Sequence, residues 1–165
     1  MLLHIPLLQE EALYPEERAK GRTPQQLHYM FQAYVMEAKR LQVMYQDQIY
    51  YLTGMEIEVW DNNWEEILQL KRLYSLDYLV GSVHFIKGIA IDYNLAEMER
   101  LERILGGTEA VFVAYYDLQY QMMQQILPEV IGHFDLIRLF RPEFMPTPLI
   151  WKKMERNLDF AIGYG

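Results

Sequence analysis

The 165-residue sequence has the composition of one globular domain, with 52% apolar residues, no cysteine and a net charge of -8. Its basic residues are scattered, which argues against a nucleic-acid partner because phosphate backbones attract concentrated positive charge, and the lack of cysteine excludes disulfides and thiolate metal sites. No run of about eighteen apolar residues predicts a membrane span, and the N-terminal stretch lacks the basic flank of a signal peptide, so a cytoplasmic protein without membrane contact is expected.

The first half of the chain predicts a long helix followed by strands and a shorter helix. In TPQQLHYMFQAYVMEAKRLQVMY, Thr23 can serve as the N-cap, Pro24 suits the first turn and Gln26 occupies the capping-box position. The apolar residues of this segment recur at helical spacing. Three segments follow: IYYLTGMEIEVW as a strand, NNWEEILQLKRLYSL as a helix capped by Asn62 or Asn63, and DYLVGSVHF as a buried strand.

The second half continues the alternation of strands and helices. After a glycine-containing loop, LAEMERLERIL and TEAVFVAYYDLQYQMMQQIL predict two helices separated by Gly106 and Gly107, with Thr108 as a cap for the second. PEVIGHF predicts a short strand, and a last helix begins at Thr147. Because strands alternate with helices, we expect an α/β fold with parallel βαβ units in one domain over residues 1–165.

Polar residues lie near the C-terminal ends of four predicted strands: His4, Glu56, His84 and His133. Because these ends converge on one rim in parallel α/β architectures, the four side chains are expected to face a common hollow. Imidazole and carboxylate ligands suit divalent zinc, manganese or iron. A cation held there lowers the pKa of bound water, which supplies a nucleophile for phosphate esters or amides.

The histidines and carboxylates of the chain also have structural interpretations. A lone histidine at a strand end, such as His4 or His133, is more often a hydrogen-bonded structural residue than a ligand. Glu56 and Glu58 alternate with apolar residues, so one of them could be a solvated residue on a half-exposed strand. His28 lies within a predicted helix, where a surface or packing role is expected. The shared strand-end position of the four candidates is the argument for a metal site.

Three motifs carry a resemblance to a known family: GMEIEVW, DYLVGSVHFIKGIAIDY and PEVIGHFDLIRLFRPE. They resemble histidinol-phosphate phosphatases of the polymerase-and-histidinol-phosphatase (PHP) superfamily, the fungal-type enzymes in particular. The resemblance implies a distorted (β/α)7 TIM-like barrel with up to three divalent metal ions at its C-terminal rim. It also implies hydrolysis of a small phosphate ester, L-histidinol phosphate, to L-histidinol in histidine biosynthesis.

By this resemblance, His4 corresponds to the histidine that ends the family's second strand, Glu56 to the bridging carboxylate, and His84 and His133 to two later ligands. Glu56, His84 and His133 would then carry catalysis. Family members also have an H-x-H motif upstream and a D-x-H motif downstream, and neither motif occurs in this sequence. We therefore expect an incomplete barrel, a PHP-type domain truncated at both ends.

The loop after His133 holds further candidates. The guanidinium groups of Arg138 and Arg141 match phosphate geometry and could bind the substrate phosphate. Ion pairing with Asp135 or Glu143 in the same loop is the alternative, and the sequence does not decide between them. Asp135 is also a candidate carboxylate for orienting a ligand imidazole.

Three functions remain open at this stage. The first is a phosphatase domain whose other ligands lie outside this sequence. The second is a non-catalytic remnant that binds metal weakly, since four candidate ligands are too few for a trinuclear centre and the isolated chain is then expected to be inactive. The third is another PHP-type phosphoesterase acting on nucleotides, which the net charge of -8 disfavours.

Overall fold

A computed structural model describes residues 13–60 and 62–164 of the chain. The helices are α1 Pro15–Ala19, α2 Pro24–Met44, α3 Trp64–Leu73, α4 Leu95–Leu105, α5 Thr108–Ile126 and α6 Pro148–Tyr164. The strands are β1 Gly54–Glu58, β2 Tyr78–Ser82, β3 Phe85–Ile86, β4 Ile89–Ala90 and β5 Val130–Ile131, and a 3-10 helix covers Leu136–Arg138. Within these ranges, none of the helices combines the length and apolar character that crossing a membrane requires.

The central sheet consists of β1, β2 and β5, which are all parallel, with β2 in the middle. Helix α3 connects β1 to β2, while β3, β4, α4 and α5 lie between β2 and β5. Parallel neighbours need such crossover connections because a short turn cannot bring the chain back to the same end of the sheet. The predicted α/β class with parallel strands is therefore confirmed.

The two faces of the sheet differ in chemistry because successive side chains of a strand point to opposite sides. Met55, Ile57 and Leu79 are fully buried in the apolar core, to which α3 and α5 also contribute. The alternate residues of β1 are carboxylates, and Glu58 lies beside Ser82 in the register of β1 with β2. The sheet thus buries one face in the core and gathers polar side chains on the other.

The predicted N-terminus of α2 is confirmed. Thr23 is the N-cap, its hydroxyl oxygen accepts a hydrogen bond from the Gln26 backbone at 3.2 Å, and the Gln26 side chain accepts one from the Thr23 backbone at 3.0 Å. Thr147 accepts a bond from the Ile150 backbone at 3.5 Å before α6. These ends were predictable because each cap depends only on residues three positions apart.

Two other caps differ from the prediction. Asn63 occupies the N-cap position of α3, but its side chain accepts a hydrogen bond from the Trp60 backbone and donates one to the Glu58 carbonyl, both at 3.0 Å. Thr108 is the first residue of α5, with Gly107 as the N-cap, and its hydroxyl donates to Glu102 at 2.8 Å. In both cases a residue that precedes the helix by a few positions takes the side chain that was expected to cap it.

The glycine-containing loop after His84 is a short antiparallel hairpin of β3 and β4. Lys87 and Gly88 form its turn, with φ values of 53° and 72°. Positive φ at both central residues is typical of two-residue hairpin turns, because their twist matches that of the flanking strands. Apolar residues pair on both sides of this turn, and that pattern makes the segment a hairpin instead of an irregular loop.

Candidate metal centre

Three of the predicted ligands meet at the C-terminal end of the parallel sheet. One ligand atom each from Glu56, His84 and His133 lies within 4.8 Å of the other two. Glu56 Oε1 is the central atom, 3.5 Å from His84 Nε2 and 3.3 Å from His133 Nε2. Glu56 lies in β1, and His84 and His133 each follow the last residue of β2 or β5 by two positions. They meet because parallel strands bring their carboxyl ends to the same edge.

Close contact between strands holds Glu56 in place. The Ser82 hydroxyl donates a hydrogen bond to Glu56 Oε1 at 2.8 Å, and both residues are buried. Gly132 lies against the same hydroxyl, since a Cβ atom at this position would come within 2.5 Å of Ser82 Oγ. The absence of a side chain at Gly132 therefore allows β5, and His133 after it, to approach the site.

His133 has a backbone conformation that few residues other than glycine adopt, with φ at 47°. Its carbonyl accepts hydrogen bonds from the Tyr115 hydroxyl at 2.6 Å and from the Leu136 backbone at 3.1 Å. The imidazole is half exposed, with 52% of the side chain accessible. The anchored backbone thus turns His133 toward Glu56 while its ring remains open to solvent.

His84 is the buried member of the cluster, with 3% of its side chain exposed. Its Nδ1 lies 2.8 Å from Glu58 Oε1, and the Tyr14 hydroxyl donates to the same oxygen at 3.3 Å. Burial by itself lowers the pKa of His84, but the hydrogen bond and charge of Glu58, with the charges of Asp92 and Glu56, raise it above its usual value. A cation at this imidazole would compete with a proton for the ring nitrogen.

The remaining histidines have different positions. His4 lies outside the described residues, so its place in the predicted cluster stays a prediction. His28 lies in α2, where its Nε2 is 3.2 Å from the Gln32 amide and 3.3 Å from the Tyr74 hydroxyl. Its ring also packs against that of Tyr74. His28 therefore has the packing role that its helical position predicts.

The arginines predicted to bind phosphate have structural partners. Arg141 forms a two-pronged ion pair with Glu102, with N–O distances of 2.8 and 2.6 Å, and Arg138 donates to the Pro142 carbonyl at 2.7 Å. The acidic partner of Arg141 is neither Asp135 nor Glu143, so the ion pairing predicted within the loop is wrong for this residue. Phosphate binding by Arg138 and Arg141 stays a prediction. Glu102 lies 39 residues away in the chain and reaches Arg141 only through the packing of α4.

The carboxylate in contact with His84 is Glu58, and the orienting role expected for Asp135 stays a prediction. Asp135 is exposed and precedes the 3-10 helix, whereas Glu58 is buried and contacts His84. A signal for Glu58 was present in the sequence. In a strand, residues two positions apart share a face, so Glu58 had to point to the same side as Glu56. The alternative that Glu56 or Glu58 is a solvated residue on a half-exposed strand is wrong, because both carboxylates are buried.

The donor set fits one divalent transition-metal ion. Catalytic zinc sites have three protein ligands and an open position, with bonds of about 2.0–2.2 Å, which place neighbouring donor atoms roughly 3.3–3.6 Å apart in tetrahedral geometry. The separations of 3.3 and 3.5 Å around Glu56 Oε1 agree with this spacing. The exposed face of His133 is the open side of the group.

Comparison with known proteins gives a consistent result. The sequence profile of the PHP domain matches residues 4–165. A protein of Schizosaccharomyces pombe named "Probable histidinol-phosphatase" is 40% identical over 169 residues, covering 98% of this chain and 55% of the relative. The "Histidinol-phosphatase" of Saccharomyces cerevisiae is 33% identical over 200 residues, covering 98% of this chain and 59% of the relative. The chain thus spans less than two thirds of the length of these curated relatives.

Proposed function

The chain belongs to the PHP domain family, and on that premise we propose that the protein is a metal-dependent phosphomonoesterase that converts L-histidinol phosphate to L-histidinol and phosphate. The observation that carries this proposal is the convergence of Glu56, His84 and His133 at one end of the parallel sheet. The names of the two fungal relatives point to the substrate. The same reaction belongs to histidine biosynthesis.

We further propose that residues 1–165 form part of one PHP-type domain with a distorted (β/α)7 barrel. The division of the sheet into a face in the apolar core and a polar face supports this proposal, because barrel strands bury one face under helices and turn the other inward. Glu56, Glu58 and Ser82 would then line the interior.

In the proposed reaction, Glu56, His84 and His133 hold a divalent cation, with zinc, manganese and iron as candidates and up to three ions in a complete family member. A cation bound there lowers the pKa of coordinated water and offsets the negative charge of a phosphate ester. His84 is the rigid ligand, because it is buried and hydrogen-bonded to Glu58. Ser82 orients Glu56 through its hydrogen bond of 2.8 Å. His133 is the exposed ligand, so substrate approaches from its side. His4 is proposed as an additional ligand.

The proposal is tested in the full-length protein with the variants His84→Ala and Glu56→Ala. Each removes a donor from the group, so metal content and phosphate release from L-histidinol phosphate should both fall to background. His28→Ala is the matched control, since this histidine lies in α2 and contacts Tyr74. It should retain metal and activity if circular dichroism shows an intact fold.

The assay uses added zinc, manganese or iron(II), and nucleoside monophosphates serve as competing substrates. Wild-type turnover by His84→Ala or Glu56→Ala, at normal metal content, would reject the site. Preferential hydrolysis of nucleotides would reject the proposed substrate. We also propose that the 165-residue chain alone turns over slowly, because these three ligands account for one of up to three ions.

A further inference from the structure

Two carboxylates of one strand flank the imidazole of His84. Glu56 lies on its Nε2 side at 3.5 Å, and Glu58 lies on its Nδ1 side at 2.8 Å. The side chains of His84 and Glu58 are 3% and 2% exposed, so solvent does not replace this contact. Within the described residues, the group able to hold an ion includes Glu56 and excludes Glu58. Glu56 therefore shares the candidate ion site with His84, whereas Glu58 contacts the other nitrogen of the same ring.

Tyr14 reinforces the contact between Glu58 and His84. Its hydroxyl donates to Glu58 Oε1 at 3.3 Å, the same oxygen that His84 Nδ1 contacts. Its ring packs against Phe85, the next residue after His84, with centroids 5.0 Å apart. Tyr14 thus restrains the Glu58 carboxylate through a hydrogen bond. Through its packing on Phe85 it also restrains the segment that carries His84.

We propose that Glu58, held by Tyr14, is a positioning residue for His84. Glu58 accepts a hydrogen bond from Nδ1–H, which leaves the Nε2 lone pair directed toward Glu56, where a cation would bind. Partners of this kind select the tautomer, orient the ring and strengthen the imidazole as a ligand. The inference rests on the proposed function only in assigning His84 to a cation site. Its effect is measurable as metal affinity without a phosphatase assay.

The experiment measures zinc affinity by chelator competition in the full-length protein. Glu58→Gln keeps an oxygen that can accept the hydrogen bond from Nδ1–H but removes the charge, and Glu58→Met removes both. We expect zinc affinity to fall about 10–100-fold for Glu58→Met, with Glu58→Gln intermediate. Tyr14→Phe should have a smaller effect. Glu66→Gln is the matched control, because Glu66 is a half-buried carboxylate in α3, and it should stay within about twofold of wild type.

Nitrogen-15 NMR of the zinc-loaded protein provides a second readout. His84 should be protonated at Nδ1 and metal-bound at Nε2 in the wild type, and Glu58→Met should lose this single tautomer. A folded Glu58→Gln or Glu58→Met protein with wild-type zinc affinity would overturn the proposal, as would zinc bound at His84 Nδ1. If Glu58→Met does not fold, Glu58→Gln still decides the outcome.

The result separates this inference from the proposed function. Weaker zinc binding in the Glu58 variants supports positioning even if the wild type hydrolyses no phosphate ester. Phosphatase activity with unchanged zinc affinity in those variants would overturn positioning alone. Unchanged zinc binding in His84→Ala would overturn both, because the imidazole would then lie outside the metal site.

Discussion

Replacement of Tyr115 by phenylalanine should weaken metal binding, although the Tyr115 side chain is not one of the ligands. The Tyr115 ring is fully buried, and its hydroxyl donates to the His133 carbonyl at 2.6 Å. Phenylalanine keeps the ring, so apolar packing is preserved and one hydrogen bond is lost. The net contribution of such a bond is about 1 kcal/mol. The full penalty for an unsatisfied carbonyl is not expected, since the Leu136 backbone also donates to this oxygen at 3.1 Å.

The free energy of the lost hydrogen bond is comparable to the cost of the left-handed backbone conformation of His133. A left-handed backbone costs a residue other than glycine roughly 1–2 kcal/mol, and His133 has φ at 47°. Removal of about 1 kcal/mol of restraint shifts the equilibrium toward other backbone conformations by about fivefold. We therefore expect Tyr115→Phe to lower the free energy of unfolding by about 1 kcal/mol and to weaken zinc binding up to about fivefold.

Urea denaturation and chelator competition measure the two effects. Tyr120→Phe is the control, because it removes a tyrosine hydroxyl from the same helix. The Tyr120 ring packs against Phe160 in α6. This variant should change stability by less than about 0.5 kcal/mol. Unchanged zinc affinity in Tyr115→Phe, with the expected loss of stability, would show that the hydroxyl does not maintain the His133 conformation. A loss of more than about 3 kcal/mol would show a role beyond one hydrogen bond.

Two further predictions concern strand contact and pH. Gly132→Ala would place a Cβ atom 2.5 Å from Ser82 Oγ and 2.9 Å from Val80 Cγ1. The variant should therefore destabilise the fold by about 1–3 kcal/mol and reduce metal content. A thermal unfolding temperature within error of the wild type would contradict this. Arg141→Ala should lower the free energy of unfolding by about 1–3 kcal/mol at neutral pH. Because Arg141 lowers the pKa of Glu102, their ion pair stabilises the fold above the unfolded carboxylate pKa, about 4.3, and this contribution disappears as pH falls through the folded pKa. Urea unfolding should therefore show the wild type and Arg141→Ala converging in acid, and a constant difference would refute the assignment.

Much of the architecture could be predicted because its signals are local. Thr23 and Gln26 cap α2 through contacts three residues apart. The apolar strands and their helical connections predicted a parallel sheet, and the strand-end positions of Glu56, His84 and His133 predicted that their side chains would meet. The structure brings those three together because parallel strands end at one edge. Sequence spacing is sufficient where secondary structure alone determines which residues are neighbours.

Only the tertiary structure decided which polar groups are partners. Glu58, and not Asp135, contacts His84, because the first is buried on the sheet and the second lies exposed after β5. Arg141 pairs with Glu102, which is 39 residues away in the chain. The carbonyl of His133, a residue with a left-handed backbone, accepts a hydrogen bond from Tyr115 in α5. Charges and hydrogen-bonding groups are numerous in any sequence, and burial selects the pairs that form, since a polar group removed from water must find a partner that the packing brings within reach.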